Sequence, residues 1–105
     1  MVDALDELYT KIKTRRDADV EKSYTAQLMA GGTSLICQKV GEEALETVIG
    51  ALAGSKQNLI AESADLLYHL LVLWAHEKIE PENVWAELKA REDKSGLEEK
   101  SQRAR

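Results

Sequence analysis

Glu62-Ser63-Ala64-Asp65-Leu66-Leu67-Tyr68-His69-Leu70-Leu71-Val72-Leu73-Trp74-Ala75 is apolar at nearly every position except for a few widely spaced polar ones. With Asn58 before it and His76 after it, Glu62, Asp65 and His69 recur at intervals of four, three, four and seven. That spacing draws one narrow stripe along an α-helix. A helix apolar on most sides is buried on most sides. Four or five helices of a short chain can hardly surround it, so the sequence implies a second copy of the chain completing the bundle.

The two acids of the stripe repeat a spacing met one segment earlier, in Glu43-Ala44-Leu45-Glu46. Three residues turn an α-helix by about 300°, so each pair presents both carboxylates from one face, one turn apart. On neighbouring helices, Glu43, Glu46, Glu62 and Asp65 would gather four hard oxygen ligands. Helical bundles hold Mg²⁺ in this way, with positions left open for a phosphate substrate. The plainer reading of Glu42, Glu43 and Glu46 is a solvated face, with Lys39 to Glu43 an ordinary i, i+4 pair worth a few tenths of a kcal/mol. Mutual repulsion of three acids within one and a half turns weighs toward a cation. For Glu62 and Asp65 the plainer reading is a carboxylate satisfied by Lys, Arg or Tyr of a neighbouring helix. His69 either orients a ligand or touches substrate, and its default fate is a hydrogen-bonded core residue. His76 has no supporting pattern. Gly41 costs a helix roughly 1 kcal/mol relative to alanine, which implies close helix approach or room for a ligand beside Glu42.

The chain has 105 residues, enough for one core, and a net charge of −5. That balance argues against duplex nucleic acid, whose binding needs a basic face. From Lys39 to His69 two lysines (Lys39, Lys56) stand against five acids (Glu42, Glu43, Glu46, Glu62, Asp65). A polyphosphate would be repelled there unless divalent cations came with it. No phosphate-binding glycine loop, Cys/His zinc spacing or Ser–His–Asp order is present. The single Cys37 sits among Leu35, Ile36 and Val40 and reads as a small buried hydrophobe in a reducing compartment. The acidic start, Met1 to Glu7, is unlike a signal peptide, and the apolar run from Leu66 to Ala75 is too short to cross a bilayer. A cytoplasmic protein without membrane contact is expected.

Helical periodicity runs throughout. Leu5, Leu8, Tyr9 and Ile12 predict a first helix over about 3–16. Arg15 to Lys22 reads as a connection. Ser23 caps a short helix to about Ala30, stopped by Gly31-Gly32. Thr33 or Ser34 caps a long helix to about Gly54, with Val40, Leu45, Val48, Ile49 and Leu52 on its apolar side. Ser55 or Asn58 opens the next helix, to about Lys78. Glu80-Pro81-Glu82-Asn83 starts a last one, docked by Val84, Trp85 and Leu88. Residues 1–92 form the expected domain, and 93–105 a charged, disordered tail.

Lys39-Val40-Gly41-Glu42-Glu43-Ala44-Leu45-Glu46, followed by Glu62-Ser63-Ala64-Asp65-Leu66-Leu67-Tyr68-His69-Leu70-Leu71-Val72-Leu73, resembles phosphoribosyl-ATP pyrophosphohydrolase of histidine biosynthesis. That family belongs to the MazG-like nucleotide pyrophosphohydrolases, marked by ExxE followed by ExxD on the next helix. Ser23-Tyr24-Thr25 and the glycine before the long helix also match, and coverage runs from about Leu5 to Leu88. Gln38 departs from the pattern, since many relatives carry a second lysine there. The resemblance implies an all-α, MazG-like bundle of four to five helices completed by homodimerisation. It implies Mg²⁺-dependent hydrolysis of the α–β phosphoanhydride of 1-(5-phosphoribosyl)-ATP. Glu43, Glu46, Glu62 and Asp65 would hold the metal, and Glu42, or another carboxylate of the group such as Glu43, would take the proton of water. Lys39 would contact phosphate, and Ser23, Tyr24, Thr25 and His69 would face the substrate. Two alternatives stand beside it: a house-cleaning pyrophosphohydrolase acting on ordinary or damaged NTPs, and a non-catalytic helical dimerisation module.

Overall fold

A computed structural model describes residues 3–92 of the chain, and the expected tail at 93–105 lies outside them. The described residues are helical, without strands: α1 (Ala4–Thr14), α2 (Tyr24–Ala53), α3 (Lys56–His76) and α4 (Pro81–Ala90). Each start has a local chemical cause. The Asp3 carboxylate accepts from the Asp6 amide at 3.0 Å, and Ser23 Oγ from the Ala26 amide at 3.1 Å. Ser55 and Asn58 both act at the start of α3. The Asn58 amide donates to Ser55 Oγ (3.2 Å) and the Ser55 amide to Asn58 Oδ1 (3.1 Å), a reciprocal box. Pro81 occupies the first turn of α4, where a missing N–H costs nothing.

The expected break at Gly31-Gly32 is present: α2 is two helical segments that meet at a kink there. Gly32 takes φ 78° and ψ −175°, a conformation nearly confined to glycine. The hydroxyl of Thr33 donates to Glu77 Oε2 at 2.7 Å. After the kink, α2 runs antiparallel to α3 in constant register, with Thr33 beside His76 and Thr47 beside Glu62. Before the kink, Thr25 meets Tyr68 and Tyr24 meets His69. The chain thus doubles back at Gly32, and the start of α2 lies level with the middle of α3. His76, without a pattern in the sequence, joins Thr33 and Glu77 in pinning this turn.

The core forms where these segments meet α1: Tyr9, Ile12, Leu28, Ile36, Leu71, Val72 and Ala75 are buried together, with Leu5 and Leu8 packed against them. The Tyr9 hydroxyl donates to the carbonyl of Ile79, fixing the α3–α4 link. α4 leans on α3 through Trp85 edge-on to Trp74, with ring centroids 5.9 Å apart. Leu88, expected to dock, is exposed, because only one face of this short helix reaches the bundle. Cys37, expected to be buried, is exposed as well. Its neighbour Ile36 takes the inward position, and a helix turns the next residue about 100° away.

The apolar side of α2 beyond the kink does not pack within the chain. Leu45, Val48, Ile49 and Leu52 are exposed, as are Ile60 and Leu67 on α3. Leu52 reaches 83 % exposure. The far half of the α2–α3 hairpin is a two-helix arm whose apolar surface one chain leaves uncovered.

Candidate active site

The acid pairs occupy the root of this arm. Register brings the Glu43–Thr47 stretch of α2 opposite the Glu62–Asp65 turn of α3, so the two acidic faces meet. Ligand oxygens of Glu43, Glu62 and Asp65 all lie within 4.8 Å of one another. Glu43 and Glu62 are half-buried and Asp65 is exposed. Asp65 therefore has solvent in the single chain, where its apolar flanks had suggested burial. Glu46 reaches Glu43 closely enough to share a hydrogen bond. With Glu62 it also lines a cavity of about 330 Å³ that includes Ile49, Gly50 and Asn58.

This arrangement is electrostatically unsatisfied by protein groups alone. Burial, then the charge and hydrogen bond of Glu46, push the Glu43 carboxyl above the usual carboxylate range. Glu62 Oε2 is buried without a hydrogen-bond partner among the described residues. An orphaned buried carboxylate oxygen costs free energy, and among the described residues no Lys or Arg is paired with Glu62 or Asp65. The plainer reading of these two acids thus finds no support. Three converging hard oxygens with one lone pair unused fit a divalent cation. Thr47, which the sequence reading missed, sits between the pairs. Its hydroxyl lies 2.8 Å from the carbonyl of Glu43 and 3.2 Å from that of Glu62, tying the two acid-bearing turns together. A threonine four residues after an acid, in position to bond back to its carbonyl, was the available signal.

Glu42 stands apart from the cluster on the exposed face of α2. Gln38 Nε2 donates to it at 3.0 Å and Lys39 Nζ lies 3.4 Å away. Gln38 first and Lys39 second hold its carboxyl below the usual range, so it is ionised at neutral pH. The departure at Gln38 thus has a local role in orienting Glu42. At Gly41 an added Cβ would meet nothing within 4 Å. Close helix approach within the chain does not explain this glycine, and open space beside Glu42 remains.

His69 is buried and uses both ring nitrogens. Nδ1 is 2.7 Å from the carbonyl of Asp65, which can only accept, so Nδ1 carries the proton. Nε2, 2.9 Å away, then accepts from the hydroxyl of Tyr24. The core role expected by default is therefore present, and it has a consequence for the site. Through His69 the start of α2 is fastened to the Asp65 turn. The Tyr24 hydroxyl feels the charges of Lys39, Glu43 and Glu42, although 15 residues and a kink separate it in sequence from Lys39. Thr25 is buried and hydrogen-bonded to the hydroxyl of Tyr68. Ser23 is the helix cap. All three of Ser23, Tyr24 and Thr25 border a second cavity, of about 340 Å³, on the far side of Tyr24.

A family model described as phosphoribosyl-ATP pyrophosphohydrolase matches residues 5–92. The phosphoribosyl-ATP pyrophosphatase of Paramagnetospirillum magneticum is 56 % identical over 101 residues, spanning 96 % of this chain and 93 % of that protein. The protein of the same name from Azospirillum brasilense is 56 % identical, over 94 % of this chain and 89 % of its own length. That of Parvibaculum lavamentivorans is 52 % identical over 94 % and 91 %.

Proposed function

The chain belongs to the phosphoribosyl-ATP pyrophosphohydrolase family, and from that premise we propose that it hydrolyses the α–β phosphoanhydride of 1-(5-phosphoribosyl)-ATP. The products are 1-(5-phosphoribosyl)-AMP and pyrophosphate, in the second step of histidine biosynthesis. The observation that carries this reading is the convergence of Glu43, Glu62 and Asp65 on one point, beside the unpartnered Oε2 of Glu62.

In this reading Glu43, Glu46, Glu62 and Asp65 hold Mg²⁺. Bound there, the cation offsets polyphosphate charge and makes the attacking water more acidic. Glu42, kept ionised by Gln38 and Lys39, is in the protonation state needed to accept that water's proton. Lys39 faces phosphate oxygens, and Ser23, Tyr24, Thr25 and His69 form the wall toward the rest of the nucleotide. The local excess of acid excludes an uncomplexed polyphosphate, so charge selects the metal–nucleotide complex.

The same reading makes the enzyme a homodimer. Leu45, Val48, Ile49, Leu52, Ile60 and Leu67 are the face on which a second copy packs, because an apolar surface of this extent is unusual on a soluble monomer. No described helix is long and apolar enough to cross a membrane, which suits a biosynthetic enzyme of the cytoplasm acting on a small nucleotide.

The decisive measurement is pyrophosphate release with Mg²⁺ over a panel of phosphoribosyl-ATP, ATP and the common NTPs and dNTPs. The proposal expects the highest kcat/KM with phosphoribosyl-ATP and none without divalent cation. A preference for ordinary or damaged NTPs would make it a house-cleaning enzyme, and no release from any nucleotide would leave only a dimerisation module.

A further inference from the structure

The segment from Arg15 to Lys22, which reads in sequence as a mere connection, supplies the basic wall of the second cavity. Arg15, Lys22, Ser23, Tyr24, Thr25 and Tyr68 line a space of about 340 Å³ with no acid among them. Among the described residues neither Arg15 nor Lys22 forms an ion pair, as Lys11, Lys56 and Lys78 do not, whereas Lys13 pairs with Glu80 and Lys39 with Glu42. Arg15 and Lys22 are exposed, and what sets them apart is that both face one cavity whose wall holds no acid. They offer strong donors to an anion entering that cavity. A third cavity makes the contrast plain. It also holds cations, Arg16 and Lys78, but Asp17 shares its wall and Arg16 is already bonded to the carbonyl of Ala75 at 2.9 Å.

The basic cavity is one tyrosine away from the acid cluster. The Tyr24 ring forms its wall, stacked at 6.1 Å on Tyr68, while the Tyr24 hydroxyl reaches His69 on the Asp65 turn. Ser23 Oγ is occupied with the Ala26 amide, which leaves the amides of Tyr24 and Thr25 as donors at the helix start. Basic side chains with backbone donors bind a phosphate without a metal, whereas the acid cluster binds one only with a metal. The two sites are therefore suited to two chemically different ends of one substrate.

Resting on the function proposed above, we infer that Arg15 and Lys22 hold the phosphomonoester at the phosphoribosyl end of the substrate. They would thereby provide the discrimination against ordinary NTPs, which lack that group. The shared chemistry is a phosphate, so the terminal phosphate of the triphosphate is the competing occupant, and the two are separable by experiment.

The test compares wild type with Arg15→Gln, Lys22→Gln and Arg15→Lys. Three quantities are measured: kcat and KM for phosphoribosyl-ATP, the inhibition constant of ATP with Mg²⁺, and calorimetric binding of ribose 5-phosphate in EDTA. Loss of a charged hydrogen bond to phosphate should raise KM for phosphoribosyl-ATP about 10- to 100-fold, with a smaller change in kcat. Affinity for ATP should change much less, ribose 5-phosphate binding should be lost, and Arg15→Lys should recover part of both. Equal losses for phosphoribosyl-ATP and ATP would assign the cavity to the triphosphate and overturn the inference. So would wild-type-like KM and ribose 5-phosphate binding in both glutamine variants while wild type turns over phosphoribosyl-ATP. If wild type does not hydrolyse phosphoribosyl-ATP at all, the function proposed above fails first and takes this inference with it.

Discussion

The two halves of the α2–α3 pair meet solvent on opposite terms. Around Ile36 and Val72, the start of α2 and α1 fold over the pair and exclude water on every side. Around Leu52 and Ile60 the same two helices are covered on one side only, and apolar side chains face outward. The acids lie at the boundary between these regimes. A closed core would make four carboxylates too costly, and open solvent would make them weak ligands. A half-covered arm that a second chain can close gives carboxylates that are partly desolvated yet reachable by substrate.

The largest effect should come from placing the same charge in each half. Val72→Asp puts an unpaired carboxylate where exposure is 0 %. Its cost of several kcal/mol is set against a total stability of about 5–15 kcal/mol. Circular dichroism should show loss of the cooperative thermal transition. Leu52→Asp, at 83 % exposure, should keep the helices and instead shift the sedimenting species from dimer to monomer. A Leu52→Asp protein that remains dimeric at micromolar concentration would put the subunit contact elsewhere.

At the boundary, Glu62→Gln should lower kcat/KM at least about 100-fold, since even groups that only support a metal ligand cost 10- to 100-fold. Its melting temperature in EDTA should be unchanged or higher, because the amide relieves repulsion from Glu43 and Asp65. Activity within a few-fold of wild type at saturating Mg²⁺ would remove Glu62 from the metal site.

What could be read from the sequence follows the same division. Leu5, Leu8, Tyr9 and Ile12 announced a buried stripe and became one. Leu45, Val48, Ile49 and Leu52 announced the same kind of stripe and remained exposed. Periodicity tells which side of a helix is apolar, but not whether its own chain or another covers it. The acid pairs were legible because i, i+3 spacing fixes a face regardless of neighbours. The basic cavity was not, because Arg15 and Lys22 sit on a connection without periodicity and come together only through the fold. The interruption at Gly31-Gly32 was legible because glycine takes a positive φ at no steric cost, but the sequence did not say that the chain would fold back there.

That interruption offers a smaller test of how the halves are joined. At Gly32 an added Cβ meets no atom within 4 Å, so Gly32→Ala costs only what its backbone conformation costs. For φ 78° and ψ −175° that is about 1–3 kcal/mol. The melting temperature should fall while the oligomer persists. KM should rise with it, because the kink is what returns Tyr24 and Thr25 to the Asp65 turn. A drop in stability with unaltered KM would separate the fold-back from substrate binding.

The smallest expected effect reports on the boundary acids directly. The Glu43 carboxyl is shifted upward, mainly by burial and then by Glu46, from an unfolded value of about 4.3. A raised acid binds its proton more tightly in the folded state. Its stabilising contribution is therefore full below the unfolded value and is lost as pH rises through the folded one. Glu42 and Glu77 are shifted downward by Gln38 and Thr33 respectively and work in the opposite sense, but they are common to wild type and Glu43→Gln and cancel in the difference. In EDTA, the melting temperature of wild type minus that of Glu43→Gln should become more positive as pH falls from 7 toward 5. Mg²⁺ at pH 7 should stabilise wild type more than the variant, since the cation competes with the proton for the same oxygens. A difference that is flat with pH in EDTA would mean that Glu43 is as well solvated as the acids of the open surface, and that the arm's root is no boundary at all.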